Sequence, residues 1–203
     1  MRPDAPRTDA PILLLDVMDT LVHDPFYVEV LEHFGMGLEQ LFAIKDKAAW
    51  HAFERGELGE EDMRARYFTG GRALDLEGLR ACMRAHYRWL PGVEPLLRAL
   101  RAAGVPMFAL SNYPVWYEWI EARLGLSRYL DWSFVSCRTG VRKPAPGAYL
   151  GAARALGVSP ARCLFVDDRE KNCAGARAVG MDAIAFTGAD ALRVSLRARG
   201  LAV

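Results

Sequence analysis

Ile12-Leu13-Leu14-Leu15-Asp16-Val17-Met18-Asp19-Thr20-Leu21 is the stretch that decides the fold. Ile12 to Leu15 is an unbroken apolar run, closed abruptly by an acid and a short polar turn. A run of that length fits a strand buried on both faces of a parallel sheet. An acid just past the carboxyl end of such a strand lies where open α/β sheets bind ligands. Asp16 is therefore a catalytic candidate by position alone.

Working outward, residues 1–11 are Pro-rich and charged and read as a loose tail. From residue 25 to residue 90 the apolar positions recur at three- and four-residue spacing, as in Phe26-Val30-Leu31-Phe34 and Leu76-Leu79-Cys82-Met83. Gly35-Met36-Gly37 and Gly70-Gly71 punctuate this region. It predicts a small all-helical cap, inserted after the first strand and seated over its end. Beyond Pro91-Gly92 strands and helices alternate. Strands are expected at residues 12–16, 105–110, 134–137, 163–166 and 182–186, and helices at 93–103, 113–124, 145–156, 170–179 and 189–199. That alternation means an α/β fold: a doubly wound, parallel, five-stranded sheet. Residues 12–24 and 91–203 form its Rossmann-like core, and residues 25–90 the cap.

The 203 residues suit one domain carrying an insertion. Hydrophobic content of 52% and a net charge of +1 argue against a polyanion-binding surface, so no nucleic-acid partner is expected. No apolar stretch approaches the roughly 18 residues of a membrane span, and residues 1–11 lack the apolar core of a signal peptide. Cys82, Cys137, Cys163 and Cys173 form no CxxC pair and have no histidine at zinc spacing. Reduced thiols in a cytoplasmic protein, monomeric or homodimeric, are the economical reading.

Polar residues just beyond the strands form a coherent set. The first strand ends at Asp16, the second at Ser111-Asn112 and the fourth at Asp167-Asp168, while Lys143 follows the third by a few residues. In a parallel sheet these ends converge on one crevice. Three crowded carboxylates repel unless a cation joins them, and oxygen ligands suit Mg²⁺. A lysine supplies a point charge for phosphate, and Ser111 and Asn112 supply neutral donors. A carboxylate nucleophile, a divalent metal and a lysine are what phosphoryl transfer through an aspartyl-phosphate requires.

The constellation resembles the haloacid dehalogenase superfamily over residues 12–186. Asp16-x-x-x-Thr20-Leu21, Ser111-Asn112, Lys143-Pro144 and Phe165-Val166-Asp167-Asp168-Arg169 stand in that superfamily's motif order, followed by Gly175-Ala176-Arg177-x-x-Gly180-Met181. The resemblance implies a Mg²⁺-dependent phosphomonoester hydrolase with a helical cap of the first type. Asp16 would be the nucleophile. Asp16, Asp168 and the Met18 carbonyl would hold the metal, with Asp167 on Lys143 or a metal-bound water. Lys143, Ser111 and Asn112 would bind the phosphoryl group.

One position departs from the pattern. Phosphatases of the superfamily carry a second Asp two residues after the nucleophile as general acid and base, and here that residue is Met18. Asp19 reads as a turn residue bonding local amides, and His23 is a candidate substitute proton source. Leu14-Leu15-Asp16-Val17-Met18-Asp19-Thr20, His23-Asp24-Pro25-Phe26-Tyr27 and Ser111-Asn112-Tyr113-Pro114-Val115-Trp116-Tyr117 also resemble the plant chloroplast FMN hydrolase group. That likeness implies FMN as the small phosphorylated metabolite, with riboflavin and phosphate as products. Two alternatives stay open: a metal-independent 2-haloacid dehalogenase, and a non-catalytic module binding phosphate esters.

Overall fold

The computed structural model describes residues 10–203. The tail expected at residues 1–11 lies, except for its last two positions, outside the described residues. Strand β1 (Ile12–Leu15) is followed by a helical stretch: α1 (Glu29–Phe34), α2 (Leu38–Ile44), α3 (Lys47–Glu54), α4 (Glu60–Arg66) and α5 (Leu76–His86). The alternating part follows as α6 (Val93–Ala102), β2 (Met107–Ser111), α7 (Tyr117–Leu124), β3 (Asp131–Val135), α8 (Ser136–Thr139), α9 (Pro146–Ala155), β4 (Cys163–Asp167), α10 (Glu170–Ala178), β5 (Asp182–Ala185) and α11 (Ala189–Ala198). The sheet order is β3-β2-β1-β4-β5, with every pairing parallel.

β1 is central and carries apolar residues on both faces, because helices cover both. Leu13 and Leu15 join Leu164 and Val166 against Leu96 and Leu100 of α6, Ile120 of α7 and Leu196 of α11. Leu14 and Phe165 face the other way, onto Tyr149 and Ala152 of α9 and Cys173 and Ala176 of α10. Each fully buried leucine of this kind contributes roughly 1.5–3 kcal/mol. The helical stretch has no core of its own. Leu41, Phe53, Met63, Tyr67 and Leu79 belong to the same cluster as one face of the sheet. Its helix starts are set locally: Asp46 accepts the Ala48 and Ala49 N–H groups to cap α3, and Asp75 accepts that of Gly78 to cap α5.

Two elements start more than two residues from expectation. The third strand spans Asp131–Val135, and Ser136 already opens the short α8. Pairing with β2, from Phe108↔Asp131 to Ser111↔Val135, recruits polar residues that periodicity alone leaves out. The helix expected from residue 113 starts at Tyr117. Pro114 disfavours a helical Tyr113, whose N–H donates instead to Ser136 Oγ at 3.0 Å.

Candidate active site

β1 and β4 are neighbours, so Asp16 and Asp167 end side by side, and Lys143 reaches between them. Its Nζ stands 2.8 Å from Asp16 Oδ1 and 2.6 Å from Asp167 Oδ2. All three side chains are buried. Burial alone depresses a lysine pKa, but the two carboxylates outweigh it and hold Lys143 above its ordinary value. Burial raises Asp16, against the pull of Lys143. Asp168 is pushed up to about 7 by burial and by the charges of Asp16 and Asp167. One oxygen from each of the three acids lies within 4.8 Å of the others.

Backbone ties fix this cluster. Asp168 N–H donates to Thr20 Oγ1 at 3.0 Å, joining the turns after β1 and β4. Asn112 accepts the Lys143 N–H at 2.7 Å and donates to the Lys143 carbonyl at 2.9 Å, clamping the peptide that carries the lysine. Both Asp167 oxygens are occupied, by Lys143, by Asn172 Nδ2 at 3.0 Å and by the Arg169 N–H at 2.8 Å. Gly175 lets α10 approach this loop, since a Cβ there would stand 3.1 Å from Pro144 and 3.0 Å from the Tyr149 hydroxyl. Ser111 Oγ is buried without a hydrogen-bond partner among the described residues. A buried hydroxyl without a partner keeps a donor for a ligand oxygen.

The turn after Asp16 is tight. Asp19 adopts φ +53°, a left-handed conformation that aspartate tolerates better than most residues. Its Oδ1 accepts the Asp24 N–H at 3.0 Å, so it is indeed a local turn acceptor. His23 Nε2 meets the Glu29 carboxylate at 2.8 Å, and His23 lines neither cavity described next.

Two cavities adjoin. One, of about 290 Å³, includes Asp16, Asn112, Lys143, Asp168 and Asn172 in its lining. The other, of about 240 Å³, is walled by Phe26, Phe42, Trp50, Tyr67, Tyr113 and Trp116, drawn from the helical stretch and the loop after β2. Buried Lys45 stands in this second chamber, its Nζ 4.2 Å from the ring centres of Phe26 and Trp50 and 5.0 Å from that of Tyr67. Burial lowers its pKa to about 7. Glu54 of α3 accepts from Trp50 Nε1 at 3.0 Å and approaches Arg142 Nε at 2.6 Å, tying the helices to the loop that carries Lys143.

The sequence matches the model of the haloacid dehalogenase-like hydrolase family over residues 12–180. The chain belongs to that family. Flavin mononucleotide hydrolase 1, a chloroplastic protein of Arabidopsis thaliana, is 46% identical over 95% of this chain and 79% of its own length. The fructose-1-phosphate phosphatase YqaB of Escherichia coli is 25% identical over 84% and 89% of the two chains. Among solved structures, a family enzyme of Bacteroides thetaiotaomicron superposes with a TM-score of 0.73 at 18% identity, covering 89% of this chain and 95% of that one. The same enzyme in complex with magnesium and inorganic phosphate superposes at 0.71, again at 18% identity, over 88% and 95%.

This haloacid dehalogenase-like hydrolase is thus an enzyme of the phosphatase kind. Its fold brings together Asp16, Ser111, Asn112, Lys143, Asp167 and Asp168 from four strand ends. Lys45, Glu54 and Arg142 are cavity residues that the motif reading passed over. Their signal was present: Glu54 falls on the face of α3 that carries Trp50 and Phe53, a poor place for a solvated charge. No described helix is long and apolar enough to cross a membrane.

Proposed function

We propose that this hydrolase is a Mg²⁺-dependent phosphatase that converts FMN to riboflavin and phosphate through an aspartyl-phosphate on Asp16. The observation that carries the reading is the pair of adjoining chambers. One collects carboxylates and a lysine, as a phosphoryl group and a cation require. The other is walled by aromatic rings around a cation, as a planar ring with carbonyl acceptors requires. The name of the Arabidopsis relative supports the same substrate.

The acids fit a hard cation. Asp16 and Asp168 offer oxygens close together, and the Met18 carbonyl follows in the same turn. Asp167, whose oxygens are already bonded, acts in our reading through Lys143 instead. Bound Mg²⁺ would neutralise the crowded acids and polarise the phosphoryl group. Asp16 attacks phosphorus while Lys143 offsets charge on the phosphoryl oxygens and keeps Asp16 oriented. Ser111 donates to a phosphoryl oxygen, and Asn112 positions Lys143. Water then cleaves the acyl phosphate and restores Asp16. Every group invoked comes from one chain, so a monomer suffices. The described cysteines are all free, which suits a reducing, cytoplasmic setting.

Three clustered acids speak against a metal-free 2-haloacid dehalogenase. The test is phosphate release from FMN, sugar phosphates and p-nitrophenyl phosphate, with Mg²⁺ and with EDTA. Release from FMN that needs Mg²⁺ and disappears in Asp16→Asn is the expected result. Release only from other esters would remove the flavin and leave the chemistry. Ester binding without turnover would return the protein to a binding role.

A further inference from the structure

Hydrolysing an alkyl phosphate near neutral pH needs a proton on the departing oxygen and then a group to take one from water. The residues placed so far do neither. Lys143 and Asp167 hold each other, Asp16 is the proposed nucleophile, Asp168 would hold the cation and Met18 has no proton to give. The leaving oxygen belongs where the two chambers meet. The residues common to both linings are Met18, Asp24, His51, Glu54, Arg142 and Arg169.

Of these, Asp24, His51 and Glu54 are the side chains of acid–base type. Glu54 is engaged by Trp50 and Arg142. His51 is pushed down by burial and by Arg142, Arg55, Lys45 and Lys47, which makes it a poor proton donor. Asp24 is different. Its N–H is tied to Asp19, next to Met18, which fixes it beside the nucleophile turn. One carboxylate oxygen accepts the Phe26 N–H at 3.0 Å, and no donor among the described residues engages the other. We propose that Asp24 is the general acid and base of this hydrolase, in the role that Met18 cannot fill.

The electrostatic setting agrees. Loss of hydration raises Asp24 to about 6, with the Asp19 carboxylate adding to the rise and the Phe26 N–H, Arg169 and His23 opposing it. Lys45 and Tyr113 of the second chamber, and Tyr87 behind Tyr113, also feel its charge. A proton carrier near the working pH is what acid–base catalysis favours. In the first step an Asp16 oxygen bonds to phosphorus, the bond from phosphorus to the ester oxygen breaks, and that oxygen takes the Asp24 proton to leave as the alcohol. In the second, water bonds to phosphorus and loses a proton to Asp24 as the Asp16–phosphorus bond breaks. Phosphate leaves, and both acids return to their starting states.

The inference rests on the phosphatase reading, and the experiment separates the two. Asp24→Asn and Asp24→Ser are compared with wild type on FMN and on p-nitrophenyl phosphate, whose phenolate departs without a proton. Turnover of FMN should fall roughly 10²–10⁴-fold in both variants. With p-nitrophenyl phosphate each should still release a rapid burst of about one nitrophenolate per site, then stall at the acyl phosphate. Serine keeps an acceptor for the Phe26 N–H, so restored FMN turnover in Asp24→Ser would show a capping role and overturn the proposal. Loss of the burst together with FMN turnover would likewise overturn it, by showing that Asp24 only positions Asp16. Wild-type protein that releases phosphate from no ester would sink the phosphatase reading itself. An active wild type with unaffected variants would sink this inference alone.

Discussion

The two chambers each contain a buried lysine, and the two lysines are held in opposite ways. Lys143 sits between two carboxylates at 2.6 and 2.8 Å, and its pKa is raised. Lys45 sits among three aromatic rings with no carboxylate within 4 Å among the described residues, and its pKa drops to about 7. Desolvation costs both ions several kcal/mol. Around Lys143 the protein itself offsets that cost. Around Lys45 cation–π attraction, worth roughly 0.5–2 kcal/mol, and the more distant charges of Glu54 and Asp24 do so only in part, and the ammonium keeps its hydrogen-bonding capacity for something else. A charge satisfied by its own chain organises chemistry, and a charge left unsatisfied waits for a ligand.

Substitutions can break or sharpen this contrast. The largest effect is expected from Asp16→Asn, which removes the nucleophile and leaves a neutral partner for Lys143. Phosphate release should fall on the order of 10⁴-fold or more, while circular dichroism shows an intact fold. Lys143→Met should come next. It strands two buried carboxylates, and breaking a buried pair in this way costs about 3–5 kcal/mol, which urea unfolding at pH 7.5 would register.

Lys45→Met should behave otherwise, because no carboxylate loses an ion pair at contact distance, only the weaker, more distant attraction of Lys45 for Glu54 and Asp24. Its unfolding midpoint should stay level or rise, while KM for FMN increases about tenfold through loss of a charged hydrogen bond. A stability loss as large as that of Lys143→Met would end the comparison. The smallest effect concerns Asp24. Its folded pKa of about 6 lies above the ordinary 3.8. The folded state therefore binds more protons in that window, and stability is lost as pH rises from about 4 to about 6. Asp24 is only half-buried, so the gain from Asp24→Asn at pH 7.5 should be on the order of 1 kcal/mol. It should vanish at pH 3.5, as parallel thermal melts would show.

How much of this was legible varies residue by residue. The run Ile12 to Leu15 is apolar at every position because helices lie on both sides of β1, and that pattern is local. Asp16, Ser111 and Asp167 close or follow apolar runs, so their convergence follows from parallel order alone. The start of α7 and the extent of β3 were misjudged, since Tyr113 and Asp131 answer to partners more than twenty residues away. His23 looked like a spare proton source because it sits beside the nucleophile turn. In the folded chain Glu29 takes its Nε2, and the next residue, Asp24, lines the cavities instead. Asn112 reads as a phosphate donor from sequence, and in the folded chain its amide also clamps the Lys143 peptide.

The sequence by itself determined the alternating α/β order, a first strand buried on both faces and the set of polar and charged residues at the strand ends. These follow from hydrophobic periodicity and turn chemistry, which act over a few residues. Only the tertiary structure decided which charges neutralise one another and which face a ligand. Lys143 lies 127 positions after Asp16 and 24 before Asp167, and Glu54 meets Arg142 across the helical stretch. The energy of a charge depends on what surrounds it in space, and no local pattern encodes that.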